Sequence, residues 1–166
     1  MTLSRVQLGA LVVTAAVVVA GKQFYRGASP DELQGLLAPV AKLVGWIVGS
    51  PFTYDRTLGW VNRDARFVIA PVCAGLNFAL AAFLALSLGW LPAMRRPRDA
   101  AARLAGAAVV AYAATIVVDA ARIALALETR ADGAAHEALG VAVYLGALCA
   151  LYAIAVRRRS DHVATA

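Results

Sequence analysis

Three residues of catalytic type stand far apart in this 166-residue chain: Cys73, Arg122 and His136. An ionised thiol is a nucleophile, a guanidinium stabilises a thiolate or a developing oxyanion, and an imidazole serves as general base and then general acid. Together they make the parts of a cysteine-protease-like site. Each also has a plainer reading. A free cysteine is most often an inert, buried small hydrophobe. Arg122 has Asp119 three residues before it on the same helical face, so the two also read as a structural ion pair. A histidine that opens a helix is often a cap or an interfacial residue. The second histidine, His162, falls in the polar tail and reads as solvated.

The neighbours of each residue sharpen the chemical reading. Pro71 suits the first turn of a helix, which would put Cys73 at a helix N-terminus, where the thiolate is favoured. Gly75 leaves room for close backbone approach, and Asn77 follows the cysteine at i+4. An amide inside a span is costly without a partner, so Asn77 is either a structural hydrogen bond between helices or a substrate contact. Arg122 stands between Ala120-Ala121 and Ile123-Ala124-Leu125. Arginine costs about 2.5–3.5 kcal/mol at a bilayer centre on insertion scales, and intramembrane ionisable groups are functional candidates by default. Gly140 and Tyr144 follow His136 at i+4 and i+8, so a close-packing notch lies below the histidine.

Other chemistries find little support. One cysteine and one histidine fall short of the four ligands of a usual zinc site, and an arginine among them opposes a cation. No metal and no cofactor is implied. Cys149 lies about 20 Å deeper than His136 by helix rise and reads as core packing. The two cysteines, on different spans, make no disulfide framework. No serine-hydrolase, P-loop or dinucleotide-binding pattern occurs in a convincing context.

The elements that must position these residues are membrane spans. Apolar residues make up 61% of the chain and charged residues 16%, and mean hydropathy is +0.70. Soluble proteins have about 45–50% and about 25% respectively, and the excess here lies in long apolar runs. The spacing predicts an all-α integral membrane bundle, one domain over 1–166, with about four transmembrane helices at 6–25, 67–91, 104–127 and 136–156. The first run could be read as a signal peptide. With only Arg5 as its charged start and no clear cleavage site, a retained span is the expectation. The net charge of +6 does not point to nucleic acid, because the bases flank apolar spans rather than forming a stripe with aromatics.

Arg95, Arg96, Arg98 and Arg103, and the run Arg157-Arg158-Arg159, place the second loop and the tail in the cytoplasm. A short extracytoplasmic segment, about 26–66, and the loop 128–135 then face outward, and the three catalytic-type residues come to similar depth near that outer face. Within the segment, Ser29-Pro30-Asp31-Glu32 resembles a helix start, and Leu33, Leu36, Leu37, Val40, Leu43, Val44 and Ile47 recur at helical spacing. Pro39 is expected to bend or interrupt that helix. The aromatic and β-branched residues between Phe52 and Ile69 suggest a short hairpin around Thr57-Leu58-Gly59.

At its candidate site the chain resembles the exosortase/archaeosortase family, most of all the small form called exosortase K. The resemblance rests on Pro71-Val72-Cys73-Ala74-Gly75-Leu76-Asn77-Phe78, Asp119-Ala120-Ala121-Arg122-Ile123 and His136-Glu137-Ala138-Leu139-Gly140, with Lys22-Gln23-Phe24-Tyr25-Arg26 and Leu58-Gly59-Trp60 upstream. It implies a multi-pass protein of the bacterial inner membrane with its site facing the periplasm. Its substrate would be the C-terminal sorting signal of a membrane-anchored exported protein. The implied activity is a cysteine peptidase or transpeptidase, with Cys73 as nucleophile, His136 as general acid/base and Arg122 as stabiliser. Gly75, Asn77, Asp119 and Gly140 would support the site. Two departures stand out: Asp119 occupies a position where an asparagine is expected, and the chain is far shorter than the multi-span exosortases. The implied partners are membrane lipid and the sorting signal, and no nucleic acid. The rival readings are a non-catalytic membrane assembly partner and a small proton-coupled carrier.

Overall fold

The computed structural model describes the backbone of residues 3–64, 66–129 and 133–164, and their side chains except those of 133–136 and 158–164. The chain is an all-α membrane bundle. Its helices are α1 (Arg5–Gly27), α2 (Gln34–Val48), α3 (Leu76–Trp90), α4 (Pro97–Thr129) and α5 (Gly133–Ala164), with two 3-10 turns at Pro71–Cys73 and Leu91–Ala93. Among the described residues, four segments are long and apolar enough to cross a membrane: Arg5–Gly27, Pro71–Ala93, Pro97–Thr129 and Glu137–Arg157. Helix α1 opens with a reciprocal cap, in which the Gln7 N–H donates to the Ser4 hydroxyl and the Ser4 N–H donates to the Gln7 side chain. Helix α3 touches α1, α4 and α5, while α4 also packs against α1, α2 and α5.

Two boundaries differ from the expected ones. Phe67–Ile69 is a strand, not the start of the second span. Pro71 lacks an N–H and Gly75 takes φ +61, so the chain makes a 3-10 turn and α3 begins only at Leu76. Cys73 therefore ends the turn before α3 rather than sitting in a first α-helical turn. The helix of the third span, α4, starts at Pro97, not at Leu104, so Arg98 and Arg103 ride on its first turns. Its 33 residues span about 50 Å, more than the roughly 30 Å of a hydrocarbon core, so α4 projects past the lipid.

The expected helix start at Ser29 is a turn instead. The Glu32 carboxylate accepts from the Ser29 N–H and hydroxyl at 2.8 Å each, and α2 begins at Gln34. Pro39 sits inside α2 without ending it. Proline frees the carbonyl four residues earlier, here that of Gly35, and the Tyr112 hydroxyl from α4 donates to that oxygen at 2.7 Å. The lost helical bond is thereby replaced by a tie between helices.

The expected hairpin is present and gains a third strand. β1 (Thr53–Asp55), β2 (Gly59–Asn62) and β3 (Phe67–Ile69) form an antiparallel meander in the order β1-β2-β3, with Thr53 opposite Val61 and Trp60 opposite Ile69. Tyr54 donates its hydroxyl to Asp31, tying the sheet to the turn before α2. Leu37, Val40 and Val44 of α2 pack with Phe52, Ile69, Ala120 and Ile123 in one core, against which Cys73 rests. This is the far end of the bundle. A second core joins Phe78, Ala82, Phe83 and Leu86 to Ala107, Ala111 and Ala155. Ala10, Met94 and Ala100 close the arginine-bearing end.

Candidate active site

The site is assembled where the turn before α3 meets α4 and α5. The 3-10 turn is held by two backbone bonds, Cys73 N–H to the Ala70 carbonyl at 2.8 Å and Ala74 N–H to the Pro71 carbonyl at 3.0 Å. It leaves the Cys73 thiol half-buried. Helix α3 has no side-chain cap of its own; its N-cap is Gly75 in the left-handed conformation. The Asp119 carboxylate of α4 lies against this glycine from across the interface. A Cβ on Gly75 would lie 1.8 Å from Asp119 Oδ2 and 2.9 Å from Thr115 Cγ2. Only glycine permits this approach. A carboxylate near a helix start also matches the positive end of the helix dipole.

Asp119 is fully buried. Its Oδ1 accepts the Tyr144 hydroxyl of α5, and Arg122 Nε stands 3.6 Å from the same oxygen. The guanidinium carbon lies 5.3 Å from the centroid of the Tyr144 ring, a cation–π arrangement. Phe78 of α3 stacks on that ring at 5.1 Å and 27°. The Arg122 side chain passes over Gly140, where a Cβ would stand 3.6 Å from Arg122 Cδ. Asp119 Oδ2 and Arg122 Nε have no hydrogen-bond partner among the described residues. The arginine is thus held by stacking and charge more than by hydrogen bonds.

Cys73 and Tyr25 both pack against the core that contains Ala120 and Ile123, the chain neighbours of Asp119 and Arg122 in α4. The ion pair between Asp119 and Arg122 is present, and it sits beside this core rather than apart from it. His136 lies on α5 one turn before Gly140, and its side chain falls outside the described residues. Gly75 is a clearance that its contacts require, whereas a Cβ at Gly140 would meet Arg122 at an ordinary van der Waals distance. Asn77 resolves toward the structural alternative: it is exposed, and its Oδ1 accepts from Lys22 Nζ of α1 at 2.6 Å. Cys149 is exposed, not core. Lipid accepts a small apolar thiol as readily as a protein interior does, so that position needs no packing partner.

Two residues of the cluster escaped the sequence. Tyr144 was visible only as part of the notch below His136, and Tyr25 only as the end of a span and a member of the stretch Lys22-Gln23-Phe24-Tyr25-Arg26, with no role of its own. One signal was available. A buried carboxylate inside a span needs a donor, and Tyr144, on the face of α5 that carries His136 and Gly140, offers one. No family model, no curated protein and no solved structure matches the chain.

Proposed function

We propose that the chain is a membrane-embedded cysteine peptidase or transpeptidase. Its substrate is the C-terminal sorting signal of a membrane-anchored exported protein, and its site faces outward from the bacterial inner membrane. The observation that carries this reading is the contact of Gly75 with Asp119. It joins the turn bearing the only half-buried thiol among the described residues to the carboxylate that, with Tyr144, seats Arg122. In the proposed step the Cys73 thiolate attacks the carbonyl carbon of the scissile peptide, and Arg122 neutralises the oxyanion. His136 protonates the leaving amine as the C–N bond breaks. The resulting thioester is released by water or by the amine of an acceptor.

The test is co-expression with candidate membrane-anchored substrates. Cys73→Ala is expected to abolish processing while the protein still accumulates in the membrane. Undiminished processing by that variant would sink the enzyme reading. The rival readings draw on one observation, the burial of Asp119 with Arg122, which serves a structural pair or a proton carrier equally well. Both predict that Cys73→Ala is silent.

A further inference from the structure

We infer that Tyr25 is a positioning residue for Cys73, and that α1 works as a two-point clamp on the turn carrying the thiol. The inference rests on the cysteine-peptidase reading. Helix α1 fully buries only Ala10 and Thr14, both in its first half, and at the far end the Tyr25 side chain packs against the core. Polar contacts add to that hold. Lys22 Nζ donates to Asn77 Oδ1 at 2.6 Å, and the Tyr25 hydroxyl lies 3.2 Å from the carbonyl oxygens of both Pro71 and Val72. Residues three apart share a helix face, so one face of α1 holds the chain on both sides of Cys73.

The turn needs such a hold. It is three residues of 3-10 helix, a short and weakly bonded form, and it is followed by a glycine in the left-handed region. Val72 is 80% exposed, so no side-chain packing pins the residue before the thiol. The Tyr25 ring packs against the core that Cys73 also touches, and its hydroxyl meets the backbone at the two residues preceding the nucleophile. Fixing those carbonyls fixes the direction in which Sγ projects. Misplacement of a reacting group by about 1 Å can cost on the order of a hundredfold in rate.

The experiment uses the full chain with Cys149→Ala in native membranes, so that Cys73 is the only thiol. Tyr25→Phe removes one oxygen and keeps the ring. Its alkylation by a membrane-impermeant maleimide is expected to be about threefold faster or more, because the freed turn opens locally. Processing of a co-expressed substrate should lose about tenfold in kcat with KM unchanged. Lys22→Met should move both readouts in the same direction by less, and Phe24→Leu, on the exposed side of α1, should move neither. An alkylation rate in Tyr25→Phe equal to or below the parent's overturns the clamp. Normal processing by Cys73→Ala would overturn the peptidase reading instead, and the maleimide rates would still decide whether α1 grips the turn.

Discussion

The two ends of this bundle are built differently. At the arginine-bearing end and through the middle, the buried α4 positions are Ala100, Ala107 and Ala111, with Ala10, Ala82 and Ala155 supplied by its neighbours. Small residues let helices approach closely, which is the main source of association where lipid is as apolar as the side chains. The buried Thr14 hydroxyl there turns inward on its own helix and donates to the Ala10 carbonyl. At the far end the core is made of Leu37, Val40, Val44, Ile69 and Ile123, and the Asp119 carboxylate of α4 is fully buried beside Gly75, Arg122 and Tyr144. Repetitive packing tolerates change, because one alanine contact is much like the next. A buried charge requires particular partners at particular distances, and the far end therefore depends on single atoms.

One substitution made at both ends should expose the contrast most strongly. Gly75→Ala places a Cβ within 1.8 Å of Asp119 Oδ2, at a backbone φ of +61. Left-handed strain and overpacking together are expected to cost roughly 3 kcal/mol or more, and the seating of Arg122 goes with it. Gly106→Ala, in the middle of α4, meets nothing closer than Trp90 Cζ3 at 3.7 Å. It should be neutral or stabilising by up to about 1 kcal/mol, since alanine favours a helix over glycine. Unfolding in mixed detergent micelles, followed by tryptophan fluorescence, ranks the two. Equal tolerance would mean that the approach of α3 to Asp119 is looser than these distances require.

A second pair of variants removes hydroxyls instead of adding carbons. Tyr144→Phe keeps the ring below the guanidinium and its stack on Phe78, but takes the donor from Asp119 Oδ1. The expected loss is about 1–2 kcal/mol, the cost of leaving a buried acceptor unmet in a setting where hydrogen bonds are individually modest. Ser87→Ala removes a buried hydroxyl that has no partner among the described residues and should cost nothing measurable. The same unfolding assay reads both. A double-mutant cycle of Tyr144→Phe with Asp119→Asn should show coupling, and strict additivity would separate the two residues.

The sequence revealed spans better than joints. Apolar length fixed the four crossing helices to within a few residues at most ends, because the bilayer imposes that length. The boundary misplaced at the start of the second span lies where a special backbone intervenes. Pro71 and Gly75 interrupt what reads as one continuous apolar run from Phe67, and no periodicity announces a strand followed by a 3-10 turn there. Pro39, expected to bend or interrupt its helix, does not interrupt it, since its cost is met by a Tyr112 hydroxyl 77 residues from the freed Gly35 carbonyl. Within the site, Cys73, Asp119 and Arg122 were legible by residue type, as charges and a thiol are rare in such surroundings. Tyr25 and Tyr144 were not, because a tyrosine near the end of a span is commonplace and only its partner makes it specific.

The smallest expected effect lies in the exposed far-end segment, where two carboxylates contrast with the buried Asp119. The Ser29 N–H and hydroxyl hold the Glu32 carboxyl below its ordinary 4.5, and the backbone N–H groups of Leu58 and Thr57 hold that of Asp55 below its ordinary 3.8. A carboxyl favoured as the anion in the folded state adds stability that is fully present above its ordinary value and is lost as pH falls through the lowered one. Both groups are fully exposed, so acidification below about pH 4 should loosen only the turn before α2 and the β1–β2 turn, while the helices remain. Carboxyl carbon titration by NMR in micelles measures this directly, with midpoints expected below 4.5 for Glu32 and below 3.8 for Asp55. An ordinary midpoint at Asp55 would mean that the β1–β2 turn opens freely. The sheet would then not be a fixed wall beside Cys73, and the order of the far end would rest on α1, α2 and the Asp119 cluster alone.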